Sequence, residues 1–147
     1  MNQTNQDPGN VVCATRGGEG SELTVHEAIK LARDRGLRLT FLYIADLQFM
    51  KRTVTGRPRL AAEELRKMGE FIMLTLVEKA QGEGIEADSA VRKGRFRDEL
   101  LRYLEETRPA MLVLGSPKPG TAYLDTSSLN KLTQEIEAQT GVPVKLV

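Results

Sequence analysis

Ala110-Met-Leu-Val-Leu114, Gly115-Ser-Pro-Lys-Pro-Gly120, Ser127 to Thr140 and Val142-Pro-Val-Lys-Leu-Val147 follow one another as apolar strand, glycine turn with a loop, helix and apolar strand. This is a βαβ unit, and its loop lies at the carboxyl end of a strand. Open α/β sheets bind ligands outside such strand ends, where helix N-termini present unpaired N–H groups to anions. The place to look for function is therefore the carboxyl edge of a parallel sheet.

Upstream of this unit the alternation continues. Apolar segments at Asn10–Thr15, Arg38–Ile44, Glu86–Val91, Ala110–Gly115 and Val142–Val147 are separated by helical patterns, which argues for parallel strands joined by crossover helices. The first helix is expected from Ser21 to Arg35, with Val25, Ala28, Ile29 and Ala32 on one face and Gly36 as its stop. A second starts near Pro58 and is expected to turn Ala61, Leu65, Met68, Ile72 and Leu76 to the sheet before Gly82 and Gly84 end it. The third presents Phe96, Leu100 and Leu104, with Pro109 forcing the chain out after Arg108. The fourth presents Leu129, Leu132 and Ile136 and stops at Gly141. Right-handed crossovers then require helices on both faces of the sheet, with the first strand central. The expected fold is an α/β domain, an open five-stranded parallel sheet in the order 3-2-1-4-5. It spans residues 10–147 behind a disordered tail of residues 1–9. The last strand is an apolar edge, so a homodimer in which this edge meets its symmetry mate is expected.

At 147 residues, the chain fits one domain able to bury roughly 70% of its unfolded surface. With 40% hydrophobic and 28% charged residues and a net charge of +1, it has an ordinary globular composition and no global pull toward nucleic acid. The apolar runs are strand-length, far short of the ~20 residues that cross a bilayer, so no membrane association and a cytoplasmic location are expected. Cys13 lies within an apolar run and reads as a buried small hydrophobe.

Basic residues collect after the expected strand ends: Arg16; Lys51, Arg52, Arg57 and Arg59; Arg92, Lys93, Arg95 and Arg97; Lys118. A cleft lined with one sign of charge concentrates the opposite ion, which points to an anionic small molecule or a nucleotide. The same residues also read as solvated loop side chains. No catalytic residue is assigned. The one histidine, His26, falls within a helix, which removes the base of a nucleophilic triad. No cysteine pair, no second histidine and no dense acidic cluster at a strand end is present to hold a metal. Gly115 to Gly120 approaches a phosphate-cradling loop, but Thr121-Ala122 stands where such a loop needs Lys and a hydroxyl. A receiver domain would need acids after strands one and three, and Thr15-Arg16 and Arg92-Lys93 stand there.

Two segments together resemble the universal stress protein family. Val11-Val-Cys-Ala-Thr-Arg-Gly-Gly-Glu-Gly-Ser21 is similar to the family's opening strand, which runs into Thr-Asp-Gly-Ser. Leu112-Val-Leu-Gly-Ser116 with its loop, helix and Val-Pro-Val strand is similar to the family's close, and Leu39-Thr-Phe-Leu-Tyr-Ile-Ala-Asp46 stands as the second strand between them. The resemblance implies a five-stranded parallel sheet, dimerisation through the last strand and, in some members, ATP at the switch point. It puts the binding residues at Thr15, Arg16, Gly115, Lys118, Ser127 and Ser128. The chain departs from the family pattern at this site. Arg16 stands where nucleotide-binding members carry an Asp, replacing an acceptor by a five-donor cation. In the loop Gly-x-x-Gly, nine residues, Gly-Ser/Thr, Gly115 fits, Lys118 replaces the second glycine and Ser128-Leu129 the final pair. The reading that follows is a dimeric, non-enzymatic stress-response binding module with a degenerate nucleotide site. The alternative is a functional ATP binder in which basic side chains replace the glycine contacts, with slow hydrolysis. An enzyme of the wider adenine-nucleotide hydrolase fold is disfavoured, because neither a Ser-Gly-Gly-x-Asp-Ser loop nor a His-x-Gly-His segment occurs.

Overall fold

The computed structural model describes residues 9–15, 21–46, 58–115 and 126–147. Five strands form one parallel sheet in the order β3-β2-β1-β4-β5: β1 Asn10–Ala14, β2 Arg38–Asp46, β3 Ala87–Gly94, β4 Met111–Leu114 and β5 Val144–Leu146. Among the described residues four helices connect them: α1 Glu22–Arg35, α2 Pro58–Gly82, α3 Phe96–Thr107 and α4 Thr126–Thr140. The fold class and strand order are those expected from the sequence.

Alternate residues of the central strands feed two cores. Val11 and Cys13 of β1, with Leu39, Phe41 and Tyr43 of β2, pack beneath α1 and α2. Val12 and Ala14, with Leu42, Ile44, Leu112 and Leu114, pack beneath α3 and α4. A strand covered on both faces has no polar side to show, which explains the unbroken apolar run of β1 and β4. Burial pushes the Cys13 thiol up to about 12, so it behaves as the small hydrophobe its setting implied. A polar chain crosses three strands at the amino end of the sheet: Asn10 donates to Thr40 Oγ1 at 2.8 Å, and Thr40 donates to Asp88 Oδ1 at 2.6 Å.

Helix ends follow the sequence closely. Gly36 takes the left-handed conformation at φ 66°, and α1 stops there. Arg108 takes the same role for α3 at φ 44°, immediately before Pro109. Val25, Ala28, Ile29 and Ala32 of α1, Leu100 and Leu104 of α3, and Leu129, Leu132 and Ile136 of α4 are buried as expected.

Two differences from the sequence reading matter. First, β2 reaches Asp46 and β3 reaches Gly94, so Arg92 and Lys93 belong to a strand and not to a loop. Second, α2 is rotated from the expected phase: Gly69, Met73, Val77 and Ala80 face the sheet, while Met68 is 59% exposed. The cause is Gly69. A Cβ there would run into the Tyr43 ring, so the missing side chain lets the helix settle onto the ring at that residue. Ile72 and Leu76 are only partly buried at the flank, and the side chains of Ala61 and Leu65 are outside the described set.

Candidate functional site

At the carboxyl edge, the β1–β4 pairing ends at Ala14 opposite Leu114. The next residues are Thr15 and Gly115. Chain connections leave β1 toward β2 and β4 toward β5, so this pair of strand ends is the point where the sheet's winding reverses. Thr15 is half-buried, and its N–H donates to Leu42 O at 3.1 Å, which keeps it tied to β2. On the other side Val147 N–H donates to Leu114 O at 3.0 Å. Each of the two strand ends is thus also bonded to its outer neighbour.

Gly115 is held for a packing reason. A Cβ on it would come within 2.7 Å of Oγ1 of Thr24, a buried residue in the first turn of α1. The glycine therefore lets α1 close over the end of β4. This role is additional to the close backbone approach that the family resemblance implied, and it needs no ligand.

The neighbouring helix start is already occupied by the protein's own acids. Asp46, buried at the end of β2, accepts a hydrogen bond from Phe96 N–H at 2.9 Å. Arg95 at the N-cap provides no side-chain cap, so a carboxylate 50 residues away in sequence takes that task. Asp98 and Glu99 stand in the same first turn, where negative charge complements the helix dipole. Glu99 lies against Gly94, whose φ of 145° and lack of Cβ make room for it. An incoming anion would meet three carboxylates at the start of α3.

Several of the basic residues thought to line a cleft are also paired. Arg92 donates to Glu106 at 2.8 Å and lies over the Tyr103 ring, 5.1 Å from its centroid. Arg97 donates to Glu135 of α4 and to Asp98. These guanidinium groups hold the Glu106 and Glu135 carboxyls below the usual range. Burial raises the Tyr103 phenol, as it removes water from the charged form. Arg95 and Lys93 are exposed. The anion-attracting reading is therefore reduced at Arg92 and Arg97 on the β3 side of the edge.

Of the expected site residues, Thr15 and Gly115 are brought together at the two strand ends. Ser127 and Ser128 are exposed and lie inside the first turn of α4, which begins at Thr126. Arg16 and Lys118 lie outside the described residues, as do Lys51, Arg52 and Arg57. Thr24 and Asp46 were not singled out from sequence. Asp46 carried a signal, being an acid at the end of an apolar strand. Thr24 carried none. Among the described residues no group of three or more His, Cys, Asp or Glu side chains is placed to hold a metal ion, and no helix is long and apolar enough to cross a membrane.

No curated protein matches the chain by sequence. Among solved structures, it is similar to a universal stress family protein from Burkholderia pseudomallei, with a TM-score of 0.69 at 14% identity over 97% of this chain and 98% of that one. It is similar to a universal stress protein solved with cAMP, with a TM-score of 0.64 at 17% identity over 96% and 98% of the chains. A third is the universal stress protein from Archaeoglobus fulgidus in complex with dAMP, with a TM-score of 0.56 at 13% identity over 93% and 95%. At such identities the likeness carries the fold. Residues 9–139 match the family model, a span running from the residue before β1 to the last turn of α4; the chain belongs to the universal stress protein family.

Proposed function

We propose that the chain is a non-enzymatic, dimeric binding module of the stress response, in which the crevice between β1 and β4 has lost the contacts that select a nucleotide. The observation that carries this reading is Arg16. It directly follows Thr15 at the end of β1, where the family resemblance calls for an acid, and a guanidinium has no acceptor to offer. The Thr24 contact adds support, since it accounts for Gly115 without a ligand. Lys118 and Ser128-Leu129 replace the remaining loop glycines. The proposed unit is one domain over residues 10–147, acting in the cytoplasm and paired through β5.

A second reading is favoured by the relatives solved with cAMP and dAMP: Arg16 and Lys118, with Ser127 and Ser128, bind the phosphates of ATP in place of glycine contacts. Calorimetric titration with ATP and Mg²⁺, at low and raised salt, separates the two. The first reading expects no saturable heat from the native chain, and unchanged or gained affinity in Arg16→Asp. One-site binding by the native chain that is lost in Arg16→Asp would sink it and establish the second.

A further inference from the structure

The longest helix keeps an apolar seam on the side turned away from the sheet. In α2, 25 residues and ~37 Å long, Phe71 is 72% exposed, Met68 59% and Leu74 53%. Single exposed apolar residues are ordinary, but three on adjacent turns of one helix form a contiguous patch. The core-facing row of the same helix, Gly69, Met73, Val77 and Ala80, is complete without them.

Lys67, Phe71, Leu74 and Glu78 follow at i, i+4, i+7 and i+11, the spacing of a straight helix–helix seam. Read along the helix, the row is cation, apolar, apolar, anion. Read backwards it is anion, apolar, apolar, cation. An antiparallel copy with its two-fold axis between residues 72 and 73 therefore sets Lys67 against Glu78 twice and Phe71 against Leu74 twice. Met68 flanks the apolar pair, and Glu64 meets the neutral Gln81. Moving the axis to Phe71 would instead set Glu64 against Glu78, which like-charge repulsion disfavours. Lys67 and Glu78 are both exposed, and neither is in an ion pair among the described residues.

From this self-complementary row we infer that the outer face of α2 is a docking surface for a second copy of the chain, packed antiparallel through Lys67, Phe71, Leu74 and Glu78. A two-fold contact requires one patch to be complementary to itself, and this row meets that requirement in charge and in apolar content. The surface is separate from β5: α2 packs on β2 and β3, at the other side of the sheet. Both contacts form without competing, so the α2 pair adds one association step to whatever β5 supplies. A seam of about three turns is small beside the roughly 800 Å² per partner of a stable interface, so the pair is weak and concentration-dependent.

The test is sedimentation velocity of the full chain from low to high micromolar concentration, with Phe71→Glu, Lys67→Glu, Glu78→Lys and the exchange Lys67→Glu/Glu78→Lys. The substituted side chains are exposed, and unchanged thermal melting of each variant checks that it folds. Phe71→Glu is expected to weaken one association step at least about tenfold. Each single charge reversal weakens the same step, and the exchange restores it, because the row is then self-complementary with its ends traded. A native chain with no concentration-dependent association overturns the proposal. So does association that ignores Phe71→Glu, which assigns it to the β5 edge or elsewhere. Charge reversals that weaken the step without rescue by the exchange also overturn it, since they point to a different partner or register.

Discussion

The two helical layers finish their outer surfaces in opposite ways. The layer made by α3 and α4 is closed by ion pairs: Arg97 ties α3 to Glu135 of α4, Arg102 reaches Glu99 at 2.6 Å, and Arg92 joins Glu106 across the Tyr103 ring. In the layer of α1 and α2, Arg33 pairs with Glu83, Glu27 with Lys145, and Arg66 with Glu63 and Glu70, yet Met68, Phe71 and Leu74 on the outer side of α2 stay open. Both layers bury a full apolar row against the sheet. The contrast therefore lies in what each layer shows outward, and it teaches that an exposed apolar row here is not a shortage of core. Exposed ion pairs of the α3–α4 kind contribute little stability each, because solvent screens them. Among the described residues that face exposes no large apolar side chain on either helix.

If the two layers are equally anchored inside, damage to either core should cost stability. Leu104→Ala beneath α3 should cost about 2–5 kcal/mol, since Leu104 is fully buried and leaves a cavity. Gly69→Ala beneath α2 should cost about 1–3 kcal/mol, because the new methyl meets the Tyr43 ring and the helix must lift. Urea unfolding monitored by circular dichroism reads both. A neutral Gly69→Ala would show that α2 rides loosely on the sheet and would break the comparison.

Asp46→Ala sharpens it from the other side. Loss of the carboxylate that caps α3 should cost about 1 kcal/mol and raise hydrogen exchange at Phe96 before any other site in that layer. Protection unchanged at Phe96 would mean the cap is redundant.

The smallest effect concerns the outer ion pairs. The carboxyls of Glu106 and Glu135 are held below their unfolded values by Arg92 and Arg97, so the stability they add is complete above the ordinary glutamate value of about 4.3. It is lost as pH falls through the lowered folded values. Arg97→Ala should therefore differ slightly from the native chain at neutral pH and converge with it in acid, with the difference shrinking in salt. A gap that widens in acid would give the pair the wrong sign.

The sheet order, the four helices and most core rows were legible in the sequence because apolar periodicity and glycine stops are local signals. Val25-to-Ala32 and Leu129-to-Ile136 needed no knowledge of the rest of the chain. The phase of α2 was not legible, since it depends on the fit between Gly69 and a ring on β2, residues 26 apart. The cap on α3 was missed for the same reason: Asp46 and Phe96 meet only after folding. The cluster of basic residues was visible, but their partners Glu106 and Glu135 lie on helix faces whose orientation the sequence does not state. Thr15 and Gly115 follow two adjacent strand ends, as their apolar runs indicated, while the closeness of Gly115 to Thr24 joins a strand end to a helix with which it shares no local pattern.

That contact changes how the binding loop should be read as a record. A position with two duties outlasts the loss of either one. A side chain at Gly115 would crowd Thr24 Oγ1 where α1 closes over β4, so the fold alone gives a reason for a glycine at the first letter of that pattern. Leu129, at the last letter of that pattern, serves the fold as well, buried in the core with Leu132 and Ile136. A glycine in this place has a reason to be there with or without a ligand, and by itself it is no mark of binding.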